Sequence, residues 1–389
     1  MLPSSGFRIG RVFGIDIVIN YSWLFVFFLV GISFASVFRA PELTFGFLFE
    51  YLRRHPFPQG AWPWIAGFAA ATVFFVCLLA HELSHSYVAK RSGVEISKIT
   101  LFLFGGVAEM SEDVRSAGGE FRMAIAGPLA TFVLAGVFFL FYWLSIRLEA
   151  GSLLVVPLLY LATINLAVGV FNLLPGFPLD GGRMLRAVLW KVTGDMKKST
   201  RIASVSGRVL GVLIAGVGVY SFVVGSYVGG FWFILIGMFL YRLAQSSYRQ
   251  TLFRLATADT RVSDLMYTDI PLIGSETPLT ALRANYFAAY RLPAFPVVRD
   301  GETIGIVFRE DLGAVSPAEW DLLSAGRIAR PLTSVSAVPP DTPLEKVMKQ
   351  MLRGEEFLLV MDGSRVLGIL TRDELLRYVE TRLKAHQGN

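Results

Sequence analysis

A chain of 389 residues with 54% hydrophobic residues, 17% charged residues and a mean hydropathy of +0.55 is too apolar for an ordinary water-soluble globule. A formal charge of +6 and a pI near 9.4 invite a nucleic-acid reading, but no basic patch interleaved with aromatic residues is present. Nucleic acid is therefore excluded as a partner, and the lysines and arginines read as decoration of cytoplasmic loops.

In chain order, residues 1–20 carry Arg8 and Arg11 but no small-residue cleavage site before the first long apolar run, so that run is expected to stay as a membrane anchor. A spanning helix needs about 20 mostly apolar residues. Four segments meet this: Ile15–Phe38, Trp62–Ala80 continuing into His81, Phe121–Ile146 and Leu153–Leu174. The single cysteine, Cys77, lies inside the second; it rules out an intramolecular disulfide and reads as packing. Ile202–Leu243 is long enough for two spans, with a break expected at Gly225–Gly230, which makes about six spans. Positive charge collects at the N-terminus, in the second loop (Lys90 to Arg122) and in the fourth (Arg183 to Arg201), while the intervening loops are poorer. Both termini, and both of the charge-rich loops, are thus expected on the cytoplasmic side. Between the second and third spans, Gly105-Gly106 separates two β-prone runs within Ile96–Met110 and signals a hairpin.

From Arg249 onward the composition is that of a soluble domain, giving expected units 1–248 and 249–389. The second contains a repeat: Thr277-Pro278-Leu279 returns as Thr342-Pro343-Leu344, and the run Gly305 to Leu312 returns as Gly368 to Leu375. Each copy reads helix, β-branched strand, turn (Asp300-Gly301, Asp362-Gly363), strand, helix. This resembles a tandem pair of CBS domains, at about 257–318 and 327–382. The resemblance implies pairing of the modules, homodimerisation and adenine-nucleotide binding. Sites of that kind use a hydroxyl residue followed three positions later by Asp. Here the second repeat has Thr371 with Glu374 and the first has Phe308 with Asp311, so weak or single-site nucleotide binding is expected, with dimerisation or substrate recruitment as the main role.

His81-Glu82-Leu83-Ser84-His85 fits the zinc pattern H-E-x-x-H. Residues four apart share a helix face, so both imidazoles can address one ion while Glu82 reaches water beside it. The competing reading is a polar turn where a helix leaves the membrane, but ionisable groups there are costly and usually functional. A catalytic zinc takes a third protein ligand, and the remaining histidines, His55 and His386, fall in an external loop and the terminal tail. A carboxylate is expected instead, and Asp180 stands out because Pro175 and Pro178 end the preceding helix and Gly181-Gly182 allow a tight turn. Alone, that segment would read as a helix stop and an Asp-Gly turn.

Together the two segments resemble the site-2 protease family of intramembrane metalloproteases. Its members carry H-E-x-x-H on one transmembrane helix and Asn-x-x-Pro followed by Leu-Asp-Gly on a later one, as His81–His85 and Asn172–Gly181 do here. The paired CBS tail is similar to the branch that includes sporulation-factor-processing proteases. The resemblance implies an α-helical polytopic membrane domain with a membrane-associated β-hairpin, followed by an α/β tandem CBS pair. It implies one zinc per chain on His81, His85 and Asp180, Glu82 as general base, and Asn172 near the metal, positioning the substrate peptide. The expected partners are the lipid bilayer and a single-span or membrane-associated protein substrate. The hairpin is either an ordinary cytoplasmic one or, as in the family, a membrane-dipping strand that pairs with unwound substrate. Ala126-Gly127-Pro128-Leu129-Ala130 also matches a family pattern and reads as close helix packing. The alternatives are a CBS-regulated transporter or channel, against which this sequence shows no matching repeated halves, and an inactive scaffold, which the intact Glu82 disfavours.

Overall fold

The computed structural model describes residues 6–387 apart from 103–104, 111–113, 115, 258–259, 291, 352–353 and 364. It divides into two compact units, Met1–Tyr248 and Arg249–Asn389.

The first unit opens with strands β1 (Gly6–Val12) and β2 (Ile15–Asn20), which pair antiparallel around the left-handed Phe13 and Gly14. The expected first span therefore starts late. Residues Ile15, Ile17 and Ile19 are buried while Asp16 and Val18 are half-exposed, the period of a strand. The continuous apolar run into the next helix hides that period in the sequence. Asn20 ends the strand and caps α1 (Tyr21–Arg39), its carboxamide oxygen accepting from Ser22 N–H at 2.9 Å.

Two short helices, α2 (Pro41–Thr44) and α3 (Phe49–Arg54), precede α4 (Trp62–Arg91), which carries the H-E-x-x-H sequence in its last three turns. Pro63 sits in its first turn, where a missing N–H costs nothing, and Gly93 at φ +84° follows its end. Next come β3 (Ile96–Phe102) and β4 (Gly105–Met110), the expected hairpin. Phe102 pairs with Gly105, so the Gly-Gly pair opens the second strand instead of forming the turn; Leu103 and Phe104 lie outside the described residues. The sheet is larger than a hairpin. β2 runs parallel to β3, giving the order β1-β2-β3-β4 with β4 at one edge.

α5 (Ala117–Arg147), α6 (Ser152–Asn172), α8 (Met196–Val223) and α9 (Tyr227–Thr257) complete the long helices. Among the described residues six helices, α1, α4, α5, α6, α8 and α9, are long and apolar enough to cross a membrane. The last two part at residues 224–226, at the start of the expected break. The fourth loop holds one further helix, α7 (Asp180–Thr193), which ends at Gly194 with φ +70°.

An apolar cluster centred on Phe34, Phe38, Leu52 and Val156 joins α1, α3, α4 and α6. A second, with Ile15, Ile17, Ile99, Leu101, Ala89 and Met123, packs the sheet on the end of α4 and on α5. Burial of such side chains contributes roughly 1.5–3 kcal/mol each in water. Its structural consequence is to hold the sheet against the turn of α4 that bears His81, Glu82 and His85.

The second unit is two copies of one motif. Strands β5 (Ile273–Gly274), β6 (Ala294–Arg299) and β7 (Glu302–Phe308) form one sheet in that order. Asp300 and Gly301, at φ +53° and +84°, make its hairpin turn, as the sequence expects. β8 (Ala337–Val338), β9 (Phe357–Asp362) and β10 (Arg365–Thr371) form the other. The helices are α10 (Leu279–Ala281), continued by a π-helical turn Leu282–Phe287, α11 (Arg309–Gly313), α12 (Ala325–Ile328), α13 (Leu344–Met351) and α14 (Arg372–Gln387). Ala294, Ile306, Phe357, Leu359 and Ile369 bury together, joining the two sheets in one core.

Candidate active site

His81 and His85 project from one face of α4, their ring centroids 4.7 Å apart, and Asp180 opens α7 opposite them. The three ligating atoms form a near-equilateral triangle. His81 Nε2 lies 3.1 Å from Asp180 Oδ2 and 3.1 Å from His85 Nε2, and His85 Nε2 lies 3.2 Å from Asp180 Oδ2. Two ligands on a tetrahedral zinc, each about 2.1 Å from the ion, stand roughly 3.4 Å apart, close to these edges.

The far side of each ring fixes its proton. His85 Nδ1 is 2.7 Å from the Met123 carbonyl oxygen, which only accepts, so Nδ1 carries the hydrogen. His81 Nδ1 is 2.8 Å from Thr131 Oγ1, and the Thr131 hydroxyl gives its own hydrogen to the Gly127 carbonyl at 3.2 Å. The hydroxyl therefore accepts from His81 Nδ1–H. As neutral imidazoles, the two rings would turn their Nε2 lone pairs toward the carboxylate oxygen, so that three possible metal ligands converge on one point. Such a donor set fits a divalent cation and little else, and among the described residues it is the one cluster of this kind.

Two glycines make the space. A Cβ at Gly127 on α5 would fall 2.6 Å from His85 Cε1 and 2.7 Å from His81 Nε2, and closer still to His85 Nε2. A Cβ at Gly106 on β4 would fall 2.5 Å from Glu82 Cγ and 2.9 Å from its Cδ. The first glycine gives up helix propensity to let the rings stand against α5; the second lets the edge strand cross directly over Glu82. Glu82 itself is half-buried with no hydrogen-bond or ion-pair partner among the described residues, so its carboxylate is free for water.

The loop before Asp180 is held from both sides. Leu173 N–H and Leu174 N–H continue the end of α6, Phe177 N–H donates to the Ala203 carbonyl of α8 at 3.1 Å, and Gly182 N–H donates to Leu179 at 3.0 Å. The structure thus unites four of the five residues expected from sequence. Asn172, the last residue of α6, is half-buried and makes no side-chain hydrogen bond to the cluster among the described residues. Thr131, Met123, Gly127 and Gly106 were not legible as site residues.

The chain is similar to known proteins over both segments that supply the cluster. The chain matches Peptidase family M50 at residues 69–149 and 146–217, which take in both halves of the cluster. It is 32% identical over 379 residues to a Mycobacterium tuberculosis protein named as zinc metalloprotease Rip3, covering 96% of this chain and 92% of that one. The chain belongs to the site-2 protease family, M50. It is accordingly a zinc metalloendopeptidase with a multi-pass membrane domain, which sets aside the transporter alternative. Zinc metalloprotease MJ0392 of Methanocaldococcus jannaschii is 30% identical over 306 residues, 78% of this chain and 83% of that one. A solved site-2 protease from Methanocaldococcus jannaschii is 32% identical, with a TM-score of 0.41 over 62% of this chain and 95% of that one. The tail matches the CBS domain twice, at residues 262–313 and 326–381.

Proposed function

We propose that this M50 protease is an intramembrane endopeptidase that cuts transmembrane or membrane-associated proteins, with zinc on His81, His85 and Asp180 and with Glu82 as general base. The observation that carries the reading is the triangle of two imidazole nitrogens and a carboxylate oxygen at 3.1–3.2 Å, with the Glu82 carboxylate next in the same helix as His81. When bound, zinc acidifies water to a pKa of about 7 and polarises the scissile carbonyl.

The chain's own residues do the rest. Glu82 accepts a proton from the attacking water as its oxygen bonds to the carbonyl carbon, and delivers that proton to the amide nitrogen as the C–N bond breaks. Thr131 and the Met123 carbonyl keep both imidazoles in the tautomer that offers Nε2. A helical substrate hides its peptide bonds, whereas an unwound segment hydrogen-bonded along the free edge of β4 has its backbone laid over Glu82. Asn172 orients that segment. The charge pattern supports a cytoplasmic active site, with both termini on the same side.

For the CBS pair we propose regulation, homodimerisation or substrate recruitment, with adenine nucleotide held weakly or at one site. Asp311 supports this: its carboxylate already accepts from Phe308 N–H at 3.0 Å and from Arg330 Nε at 2.9 Å, while the Arg330 guanidinium stacks 4.5 Å from the Phe308 ring.

The test compares membranes containing wild type with membranes containing Glu82→Gln. The variant keeps fold and metal, and loss of the base costs about 10²- to 10⁴-fold in rate, so uncleaved substrate accumulates. Zinc-loaded, expressed protein with no membrane-protein fragment that depends on Glu82 would end the protease reading for membrane substrates.

A further inference from the structure

Residues Glu120, Met123, Gly127 and Thr131 of α5 recur at spacings of three and four and so share one helix face. Three of them face the histidines. The Met123 carbonyl takes the His85 Nδ1 hydrogen, Thr131 takes that of His81, and Gly127 leaves room for both rings. The fourth, Glu120, points to the other half of the cluster. It is 2% exposed, and Arg186 of α7, at 12% exposure, donates to it from Nε at 2.6 Å and again from Nη2.

Arg186 also reaches the loop that leads into Asp180. Its guanidinium lies 5.1 Å from the centre of the Phe177 ring, and Phe177 is buried. The Phe177 backbone in turn leaves no space for a side chain at Gly207 of α8. Asp180 is therefore flanked by two anchored stretches, its own helix α7 through Arg186 and the preceding loop through Phe177, and Arg186 ties both to Glu120 on the face of α5 that meets the histidines.

We infer that the Glu120–Arg186 ion pair is a positioning device that sets the Asp180 carboxylate at ligand distance from His81 and His85. An ion pair that held only the fold would have no reason to share a helix face with both histidine supports and to grip the loop before the third ligand. A buried carboxylate and guanidinium are costly to desolvate, and an apolar pair of similar volume is often at least as stable, so stability alone is a poor reason for them. Supports of this kind typically change metal affinity by about 10- to 100-fold when lost. The inference rests on the proposed zinc set, and its test separates the two.

Full-length protein in lipid nanodiscs is loaded with cobalt(II), and the visible spectrum, the affinity against a competing chelator and the melting temperature are measured. Glu120→Gln and Arg186→Lys each keep one cobalt per chain but change the absorption envelope and weaken affinity by about 10- to 100-fold. His81→Ala and Asp180→Ala, run alongside, lose the ion. Folded Glu120→Gln and Arg186→Lys with the wild-type spectrum and affinity would overturn the positioning role while leaving the zinc set intact. Wild-type affinity in Asp180→Ala and His81→Ala would overturn the zinc set itself, and the positioning role with it. If Glu120→Gln fails to fold, the double variant Glu120→Gln with Arg186→Met removes both charges together and is read by the same two criteria.

Discussion

Replacing Gly127 by alanine pits helix propensity against metal geometry. In a helix interior Ala is favoured over Gly by about 1 kcal/mol, so propensity alone foresees a more stable protein. The added methyl would lie 2.6 Å from His85 Cε1 and 2.7 Å from His81 Nε2, where ordinary contact begins at 3.4 Å. The His85 ring must therefore give by at least about 0.8 Å at Cε1, the difference between 3.4 and 2.6, and by more at Nε2, which lies closer still. Retreat breaks the hydrogen bonds to Met123 at 2.7 Å and to Thr131 at 2.8 Å. These contribute about 1 kcal/mol each, so with the propensity gain the net loss of stability is about 1 kcal/mol and the fold survives. The metal does not: zinc–ligand distances tolerate about 0.2 Å, less than a quarter of the displacement at His85 Nε2. Metal analysis after dialysis should find Gly127→Ala folded and nearly free of zinc, with cleavage abolished. Gly136→Ala, on the same helix with open space around it, should behave as wild type. One zinc per chain and normal cleavage in Gly127→Ala would refute the placement of both imidazoles.

Thr131→Val removes the acceptor that holds the His81 tautomer and should weaken zinc binding by about 10- to 100-fold, with Thr131→Ser restoring it; equal affinities for valine and serine would argue against a tautomer role. Gly106→Ala forces Glu82 aside, so turnover should fall while zinc content stays at one per chain, and an unchanged rate would mean that β4 does not cross the base. For topology, a cysteine at Lys197 should resist an impermeant thiol reagent applied from outside and one at Tyr227 should react; the reverse pattern would overturn the cytoplasmic site.

The residues proposed to hold the metal are legible in the sequence, and the residues that touch their far sides are not. H-E-x-x-H is local because a helix turns its own i and i+4 positions to one face, and the proline-rich approach to Asp180 is local for a similar reason. The supports of His81 and His85 come from positions about forty to fifty residues away, and one of them is a backbone carbonyl, to which Met123 contributes no side-chain signal. At Gly127 the sequence indicates only close helix packing, because a small residue leaves the identity of its neighbour open. Gly105-Gly106 points to a turn for a related reason, since glycine suits a turn and a close crossing equally well. The start of the first span is hidden because Ile15–Asn20 alternates like a strand while joining an apolar helix without a polar break. Helix α7 is hidden because its charges fit a loop as well as an amphipathic helix.

Helix α5 places two different demands on one stretch of sequence. Along the side opposite the histidines run Leu129, Val133, Val137, Leu140 and Leu144, all exposed at the surface of an apolar span. Lipid asks of these positions only that they be greasy, so they are free to drift among aliphatic residues. At Glu120, Gly127 and Thr131 the tolerated alphabet shrinks to one or two letters, because each is matched atom by atom to something it touches. Relatives should therefore differ freely on one half of this helix and hardly at all on the other, and that divide would be visible in an alignment before any metal was measured.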